Sequence, residues 1–293
     1  MVKIKNILCP VDFSDFSMKA FDYAYSLARR YDAKLYLQHV IRPLTEYSYD
    51  VPSGWTQQYY AESKAESQKE FQKMIAGKTS NDFHAEFVVQ VGFPAGVILE
   101  LSQKQPIDLI VIGTQGRQGV DRWTMGSVAE RVIRKAKCPV LAVRKPLHDF
   151  VAPEAKDDPV QLRKILLATD FSDHGQRAFA YAISLAMEYN AELTLLHVLE
   201  DMPRDEELSA ATARLIRELE APVPADARKW CSIKSVVRVG KPYQEIVQLA
   251  LDSQTDLIVL GVRGRSGPDL AMFGSTTYKV LQLGSAPVLA VHI

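Results

Sequence analysis

Short apolar runs alternate with amphipathic stretches along this chain. The runs at residues 4–11 and 108–113 are nearly continuous in Val, Ile and Leu, which is typical of strands buried on both faces of a sheet. After the first run, Ser14 or Asp15 is placed to cap a helix whose apolar side chains share one face. Strands that alternate with helices in this way predict a parallel sheet covered by helices on both sides.

The first half of the chain contains five predicted strands and four predicted helices. The strands are expected at residues 4–11, 34–40, 85–91, 108–113 and 140–143. The helices are expected from Ser14 or Asp15 onward and at residues 57–75, 95–103 and 127–135.

The same pattern then occurs a second time. Residues 7–40 align without gaps to residues 165–198 at an offset of 158, with 19 of 34 positions identical. Residues 108–127 align to residues 256–275 at an offset of 148, with 11 of 20 identical. The offset falls by ten because the first copy carries ten more residues in its middle section. A period of this length indicates duplication of a whole domain.

The duplication predicts two α/β domains, at residues 1–148 and 163–293, joined by a linker at residues 149–162 that is interrupted by prolines and charges. Each is expected to be a doubly wound, Rossmann-like domain with a five-stranded parallel sheet flanked by helices. In such sheets, ligands bind beyond the carboxyl ends of the strands, where the strand order reverses.

Composition narrows the function classes. The 293 residues include 35 Lys and Arg against 35 Asp and Glu, so no net basic charge is available to attract nucleic acid or an anionic membrane. Because no long apolar stretch or signal peptide is evident, we expect a cytosolic protein. Cys9, Cys138 and Cys231 are odd in number and widely spaced, which indicates neither disulfides nor a metal site.

The loop after the fourth strand is the strongest candidate for chemistry. In the first copy Gly113, Gly116, Gly126 and Ser127 lie between a strand and a helix start, where free backbone N–H groups and the helix dipole attract anions. The glycines are expected to allow positive φ and close approach of a phosphate. The alternative is a tight loop whose serine only caps the helix. The same spacing recurs at Gly261, Gly264, Gly274 and Ser275.

Two further pairs occupy matching places in the copies. Asp12 and Asp170 follow the first strand of each copy, where a carboxylate accepts hydrogen bonds from a base or ribose. The alternative is an Asx turn or a helix cap. His39 and His197 also match, and we assign them to structure because no partner recurs at ligand spacing.

Two further local features contribute less to the prediction of function. Gly77, Lys78 and Thr79 look like the end of a P-loop, but Gln72 stands where its first glycine is required, so we interpret them as a helix C-cap. An aromatic cluster in the insertion of the first copy is either a lid or docking surface or a local apolar patch; it consists of Tyr47, Tyr49, Trp55, Tyr59 and Tyr60.

The spacing G-x-x-G, nine residues, G-S between a DLIVIG-type strand and a PVLAV-type final strand resembles the nucleotide-binding pattern of the universal stress protein family. The ILxPxDFS segment near the start is similar too, and the resemblance covers nearly the whole chain as two tandem domains. It implies a fold of the adenine nucleotide alpha hydrolase-like type that pairs through its last strand, so that the two halves form an intramolecular pseudo-dimer.

The resemblance also implies the site residues. Adenine is expected near Asp12 and Val40, and near Asp170 and Val198, while the phosphates lie on the glycine loop and the helix start. The predicted nucleotide-binding residues are Pro10, Val11, Asp12, Val40, Gly113, Gly116, Arg117, Gly126, Ser127 and Val128 in the first half, and Ala168, Thr169, Asp170, Val198, Gly261, Gly264, Arg265, Gly274, Ser275 and Thr276 in the second. Pro268 and Thr277 distinguish the second copy, which argues against equal affinities.

The leading hypothesis is a cytosolic stress-response protein that binds ATP, ADP or AMP at two sites, with Mg²⁺ accompanying the phosphates, and thereby alters its conformation or partners. The alternatives are a slow metal-dependent ATP hydrolase and a dimerisation scaffold without nucleotide. No catalytic residue, protein-bound metal, nucleic acid or membrane is expected, whereas a homodimer and an unidentified protein partner stay open.

Overall fold

A computed structural model of the chain describes residues 2–44, 53–76, 78, 84–115, 125–144, 146–155, 158–201, 207–262 and 274–292. These residues form ten strands and eight α-helices. The strands are β1 Asn6–Pro10, β2 Lys34–Ile41, β3 Ala85–Val91, β4 Leu109–Gly113, β5 Val140–Val143, β6 Lys164–Ala168, β7 Glu192–Leu199, β8 Ile233–Val239, β9 Leu257–Gly261 and β10 Val288–Val291. The helices are α1 Asp15–Tyr31, α2 Ser53–Ala76, α3 Pro94–Lys104, α4 Ser127–Lys135, α5 Asp173–Tyr189, α6 Leu208–Glu220, α7 Pro242–Asp252 and α8 Ser275–Leu283.

All ten strands form one sheet in the order β3-β2-β1-β4-β5-β10-β9-β6-β7-β8. Within each half the neighbouring strands are parallel, and the order reverses between β1 and β4 and again between β6 and β9. The halves join where β5 and β10 pair in antiparallel fashion, with Leu141 opposite Leu289. The prediction of two doubly wound α/β domains is confirmed.

The apolar runs are continuous because both faces of the sheet are covered. Along β4, Leu109 and Val111 belong to a core under α1, α2, α5 and α6. Ile110 and Ile112, which alternate with them, belong to a second core under α3, α4, α7 and α8. A ligand edge at the carboxyl ends of the strands is therefore bounded by helices on two sides.

Helices α1 and α5 have the same type of N-cap and the same backbone conformation at their C-termini. Ser14 and Ser172 are the N-caps, and their side chains accept hydrogen bonds from the N–H groups of Ser17 and Gly175. Both helices end at residues in the left-handed conformation, Asp32 and Asn190. Because these helices start directly after β1 and β6, their caps fix the loops that reach the carboxyl edge of the sheet.

The linker packs against the first half. The Tyr23 hydroxyl donates to Asp149 at 2.8 Å, and the Tyr23 ring meets Phe150 edge-on at 4.9 Å. The Arg29 guanidinium donates to the carbonyl oxygens of Pro153 and Ala155. In the described residues of the linker, the chain thus lies along α1 and contributes to the core that both halves share.

No helix in the described parts of the chain is both long and apolar enough to cross a membrane.

Candidate functional site

The loop after β1 holds its aspartate in a fixed position. The Asp12 Oδ1 atom accepts hydrogen bonds from the Ser14 backbone N–H at 3.1 Å and from the Ser14 hydroxyl at 2.6 Å. Between them, Phe13 has a φ of 60°, a left-handed conformation that is strained for a bulky residue. The Asx turn considered as the alternative for Asp12 is therefore present. It also fixes the carboxylate at the carboxyl edge of the sheet.

Gly113 ends β4 at a place where helix α1 comes close. A Cβ atom added to Gly113 would lie 2.7 Å from the carbonyl oxygen of Phe16. Among the described glycines, positive φ occurs at Gly92 and Gly240, so the positive φ expected at Gly113 is wrong. Gly113 is part of the strand and pairs with Val143. The close approach of α1, not an unusual backbone angle, is what excludes a side chain here.

Helix α4 starts beside the end of β4. The Gly126 N–H donates to the Thr114 carbonyl oxygen at 2.7 Å, which ties the helix start to the strand. Gly126 is the N-cap and no side chain caps the helix, so the alternative that Ser127 serves as a cap is wrong. Ser127 is instead the first helical residue and is exposed. The first-turn N–H groups have no acceptor within the helix.

A cavity of about 1010 Å³ opens at this edge of the sheet. Its volume corresponds to the upper end of the range for small-molecule sites, roughly 300–1,000 Å³. The structure brings together around it every predicted residue of the first half that it describes: Pro10, Val11, Asp12, Val40, Gly113, Gly126, Ser127 and Val128. The other two, Gly116 and Arg117, lie outside the described residues.

Helix α2 forms a wall of the cavity that sequence analysis did not assign to the site. The residues of α2 that line it are Tyr59, Ser63, Glu66, Ser67 and Glu70. Helix α2 has 24 residues, whereas its counterpart α6 in the second half has 13. The second half therefore has a much shorter helix at the position of this wall. Of the aromatic cluster, Tyr59 lines the cavity and Trp55 is 71% exposed, while Tyr47 and Tyr49 lie outside the described residues.

Two buried polar side chains of the cavity were also missed. Gln38 and Thr114 are 0% and 3% exposed, and in the described part of the chain Gln38 Oε1 and Thr114 Oγ1 have no hydrogen-bond partner. The second copy has Leu196 and Val262 at the matching positions. A comparison of the two copies would have identified both residues from the sequence, because each polar residue stands where the other copy has an apolar one.

Carboxylates dominate the formal charge of the cavity. The charged side chains among its described lining residues are Asp12, Arg42, Glu66 and Glu70, and Glu70 is paired with Lys73 at 2.6 Å. In the described ranges of the chain, no three His, Cys, Asp or Glu side chains are close enough together to hold a metal ion.

The histidines of the two halves have the same environment. The His39 Nδ1 atom donates to the Val11 carbonyl oxygen at 2.8 Å, and its ring lies 4.7 Å from that of Phe13. His197 donates to the Thr169 carbonyl oxygen at 2.8 Å. These contacts agree with the structural role expected of both residues.

The second half repeats the backbone geometry of the site. Asp170 Oδ1 accepts from the N–H and the hydroxyl of Ser172 at 3.1 and 2.6 Å, and Phe171 has a φ of 60°. A Cβ atom on Gly261 would lie 2.8 Å from the backbone of His174. Each of these contacts matches one in the first half.

The second helix start follows the same plan. The Gly274 N–H donates to the Val262 carbonyl oxygen at 3.4 Å, and Ser275 is the exposed first residue of α8. The remaining described residues of the predicted second site surround the carboxyl ends of β6 and β7 or follow Ser275; they are Ala168, Thr169, Val198 and Thr276. Gly264, Arg265 and Pro268 lie outside the described residues.

One polar contact is peculiar to the second half. Thr277 is 5% exposed, and its hydroxyl donates to the Gly261 carbonyl oxygen at 3.0 Å. The first half has Ala129 at this position, which lines the cavity. The expected difference between the two sites therefore includes a hydrogen bond between α8 and β9.

The lone cysteines are shielded. Burial raises the pKa of the Cys9 thiol far above its ordinary value, and raises that of Cys138 to about 12. None of the three cysteines forms a disulfide.

Comparison with known proteins supports one assignment. The sequence profile of the universal stress protein family matches residues 3–144 and 161–292. A universal stress protein of Methanocaldococcus jannaschii is 38% identical over 144 residues, which are 48% of this chain and 83% of that protein. A universal stress protein of Mycobacterium tuberculosis is 27% identical over 205 residues, 68% of this chain and 66% of that protein.

The fold agrees as well. The crystal structure of a universal stress protein from Archaeoglobus fulgidus superimposes with a TM-score of 0.71 at 23% identity, covering 98% of both chains. Two matched segments and a fold similar over its whole length lead to one conclusion: the chain belongs to the universal stress protein family and carries two of its domains in tandem.

Proposed function

We propose that this universal stress protein binds ATP, or ADP or AMP in its place, at two sites, one in each half, and that occupancy alters its conformation or its protein partners. The observation that carries the proposal is the cavity of about 1010 Å³ at the carboxyl edge of the first half, which collects the eight described residues of the predicted site. An adenine nucleotide is of a size that such a cavity accommodates.

The start of α4 suits the phosphates. Gly126 and Ser127 line the cavity, and Val128 follows them in the first turn. Unpaired N–H groups and the positive end of the helix dipole stabilise a phosphate without any formal positive charge. The exposed Ser127 hydroxyl adds a further donor. This arrangement agrees with the zero net charge of the chain.

Other residues that line the cavity suit a base and a sugar. Asp12 offers a carboxylate held by Ser14, which favours the hydrogen-bond donors of an adenine base or a ribose over a phosphate. Val40, Ile98 and Ile112 supply apolar surface for the flat faces of a purine. The nucleotide would thus extend from β2 to the start of α4.

The carboxylates of the cavity determine how a Mg²⁺ ion would be held there. Asp12, Glu66 and Glu70 are hard oxygen ligands of the kind that this ion prefers, but the described residues bring no three such groups together. We therefore expect Mg²⁺ to be held by the phosphates and water, with at most one or two carboxylates completing its shell. Its contribution would be to neutralise phosphate charge beside these carboxylates.

The second site rests on repeated geometry. Asp170, Gly261, Gly274 and Ser275 make backbone and turn contacts that match those of the first half. The site differs in its side chains, because Thr277 replaces Ala129 and donates to the Gly261 carbonyl oxygen. We expect two sites of unequal affinity.

We place the protein in the cytosol. Its three cysteines are unpaired, and Cys9 and Cys231 are buried. Free thiols of this kind persist in a reducing compartment.

Titration calorimetry of the nucleotide-free full chain tests the proposal. We expect ATP to bind with a total stoichiometry of two, in two phases, and the addition of Mg²⁺ to strengthen binding. Absence of heat and of any thermal stabilisation with ATP, ADP and AMP at millimolar concentration would contradict it.

A further inference from the structure

The ten-stranded sheet ends at β3 on one side and at β8 on the other, and in the described parts of the chain each of these strands has a neighbour on one side only. At the start of β3, the Leu35 N–H of β2 donates to the His84 carbonyl oxygen. At its end, the Gly92 N–H donates to the Ile41 carbonyl oxygen. Even-numbered residues of β3 therefore direct their N–H and C=O groups towards β2, and those of the odd-numbered residues point outward, where another strand can pair with them.

The side chains distinguish the two edges, because the backbone of β8 has the same arrangement. Ile233 at the start of β8 matches Ala85 at the start of β3, at the offset of 148 that also relates the glycine loops. Natural proteins protect an exposed strand edge with charged side chains, above all with lysine. A comparison of matching residues therefore shows which edge is protected.

The β8 edge is protected by positive charge. Lys234 and Arg238 lie in β8, and Lys241 follows it directly. If two copies of β8 paired in antiparallel fashion about Val237, Arg238 of one copy would have Lys234 and Arg238 of the other as diagonal neighbours, roughly 7–8 Å away. Like charges at this distance repel, so this edge disfavours a second copy of itself.

The β3 edge lacks this protection. Gln90 stands where β8 has Arg238, and the one charged residue of β3, Glu86, is paired with Lys34 at 2.7 Å. If two copies of β3 paired about Val89, their Glu86 side chains would lie roughly 20 Å apart, which is beyond the screening distance at physiological ionic strength. Two copies of this edge therefore meet without repulsion.

The same edge exposes apolar side chains. Phe87 and Val91 lie on one face of β3 and are 40% and 38% exposed, and Phe93, directly after the strand, is 72% exposed. The second half has Ser235 and Lys241 in place of the two phenylalanines. Exposed apolar side chains beside an unprotected strand edge are characteristic of an interface.

A contact between β3 of one copy and β8 of the next is less favourable. The β8 charges that Glu86 would meet are already held within the chain, Lys234 by Glu192 at 2.7 Å and Arg238 by Glu245 at 3.2 Å. Such a head-to-tail contact also leaves one β3 edge and one β8 edge unpaired, so it does not close. Pairing of β3 with itself is symmetric and leaves only the protected β8 edges outside.

We propose that two copies of the chain form a dimer in which their β3 strands pair in antiparallel fashion about Val89, so that one sheet runs through both chains. Phe87 of each copy then lies opposite Val91 of the other, and the outward N–H and C=O groups of the two strands form about six hydrogen bonds. The inference does not depend on nucleotide binding.

Sedimentation equilibrium of the nucleotide-free full chain tests the proposal at protein concentrations from about 1 to about 100 μM. We expect the mass to rise to twice the 32.8 kDa of one chain and to stop there. Amide hydrogen exchange identifies the surface. The outward amides of Phe87, Val89 and Val91 should exchange more slowly as the dimer forms, whereas their counterparts in β8 should exchange at a rate independent of concentration.

The repeat provides a matched pair of variants. Val91 and Val239 occupy equivalent edge positions and are 38% and 40% exposed. Val91→Lys should raise the dissociation constant of the dimer at least about 100-fold, because each dimer contains the substitution twice and each lysine would lie against Phe87 of the other copy. Val239→Lys places the same charge on the other edge and should leave the dissociation constant unchanged.

A second variant keeps the test valid if Val91→Lys does not fold. Phe93→Lys introduces the residue that follows β8, at a largely exposed position, so thermal unfolding should be unaffected. We expect it to weaken the dimer about tenfold through the loss of apolar contact.

Four outcomes would overturn the proposal. They are a monomer at every concentration, a dimer that folded Val91→Lys and Phe93→Lys leave unchanged, an equal loss in Val239→Lys, and a dimer whose β3 amides exchange as fast as those of the monomer. Assemblies that keep growing with concentration and disappear in both Val91→Lys and Val239→Lys would instead indicate head-to-tail contact of β3 with β8, and the proposal would be wrong.

Discussion

The hydroxyl oxygens of Tyr31 and Tyr189 lie 3.1 Å apart, although the two residues belong to different halves of the chain. They are also equivalent positions, separated by the repeat offset of 158. Burial raises the pKa of Tyr189 to about 12, and burial also raises that of Tyr31. The contact between the halves therefore favours neutral tyrosines.

The first prediction concerns alkaline pH. The pKa of tyrosine is about 10 in an unfolded chain. Above that value the unfolded chain releases protons that the folded chain retains, so the free energy of unfolding should fall as the pH rises from 10 towards 12. Urea unfolding at pH 9, 10, 11 and 12 measures this fall.

Variants identify which tyrosines are responsible. Tyr189→Phe should flatten the dependence of the unfolding free energy on pH, at the cost of the hydrogen bond to Tyr31. Tyr59→Phe, at a position that is 42% exposed, should leave it unchanged. An equal slope in wild type and Tyr189→Phe would show that other groups cause the alkaline loss.

Gly113 and Gly261 carry the second prediction. A Cβ atom at either position lies within 2.8 Å of backbone atoms in the helix that follows the first strand of its half. Gly113→Ala and Gly261→Ala should each lower the free energy of unfolding by about 2 kcal/mol, because the helix must move. Gly96→Ala is the matched control: a Cβ atom there meets nothing within 4 Å, so stability should hold or rise. Thermal unfolding compares the three.

Sequence reasoning reached the fold because its signals are local. The predicted strand at residues 140–143 and the helix at 127–135 agree with β5 and α4, and Ser14 was a candidate cap that the structure uses. The first strand begins at Asn6, later than expected, since pairing with β2 starts there. The pairing of β5 with β10 was expected only from the family resemblance, because the sequence of a short apolar strand does not indicate which strand lies beside it.

The residues of the candidate site also divide into those with a signal in the sequence and those without one. Asp12, Gly113 and Ser127 were predicted because their spacing occurs in both copies. The explanation for the glycine at position 113 was wrong, because the close approach of α1 to β4 is a tertiary contact that a local sequence pattern does not indicate. The wall supplied by α2 was missed for that reason too. Gln38 was missed because its strand was interpreted by its apolar neighbours alone.

Thr277 yields the third prediction. Its buried hydroxyl donates to the Gly261 carbonyl oxygen, so Thr277→Val should lower the free energy of unfolding by about 1 kcal/mol. Thr276→Val, one residue earlier and only partly buried, should change it by less than about 0.5 kcal/mol. Equal losses in both variants, measured by urea unfolding, would argue against a specific role for this bond.

Ser127 and Ser275 provide the final prediction, because each is the exposed first residue of a helix. A glutamate is favourable at a helix start, so Ser127→Glu and Ser275→Glu should keep the fold, yet each carboxylate should repel phosphate. We expect calorimetry with ATP to give a stoichiometry of one instead of two for either variant. Ser127→Gln, similar in size but neutral, should retain binding at both sites, and adenosine should bind Ser127→Glu as it binds wild type. Two full equivalents of ATP on Ser127→Glu would mean that the phosphates do not lie at α4.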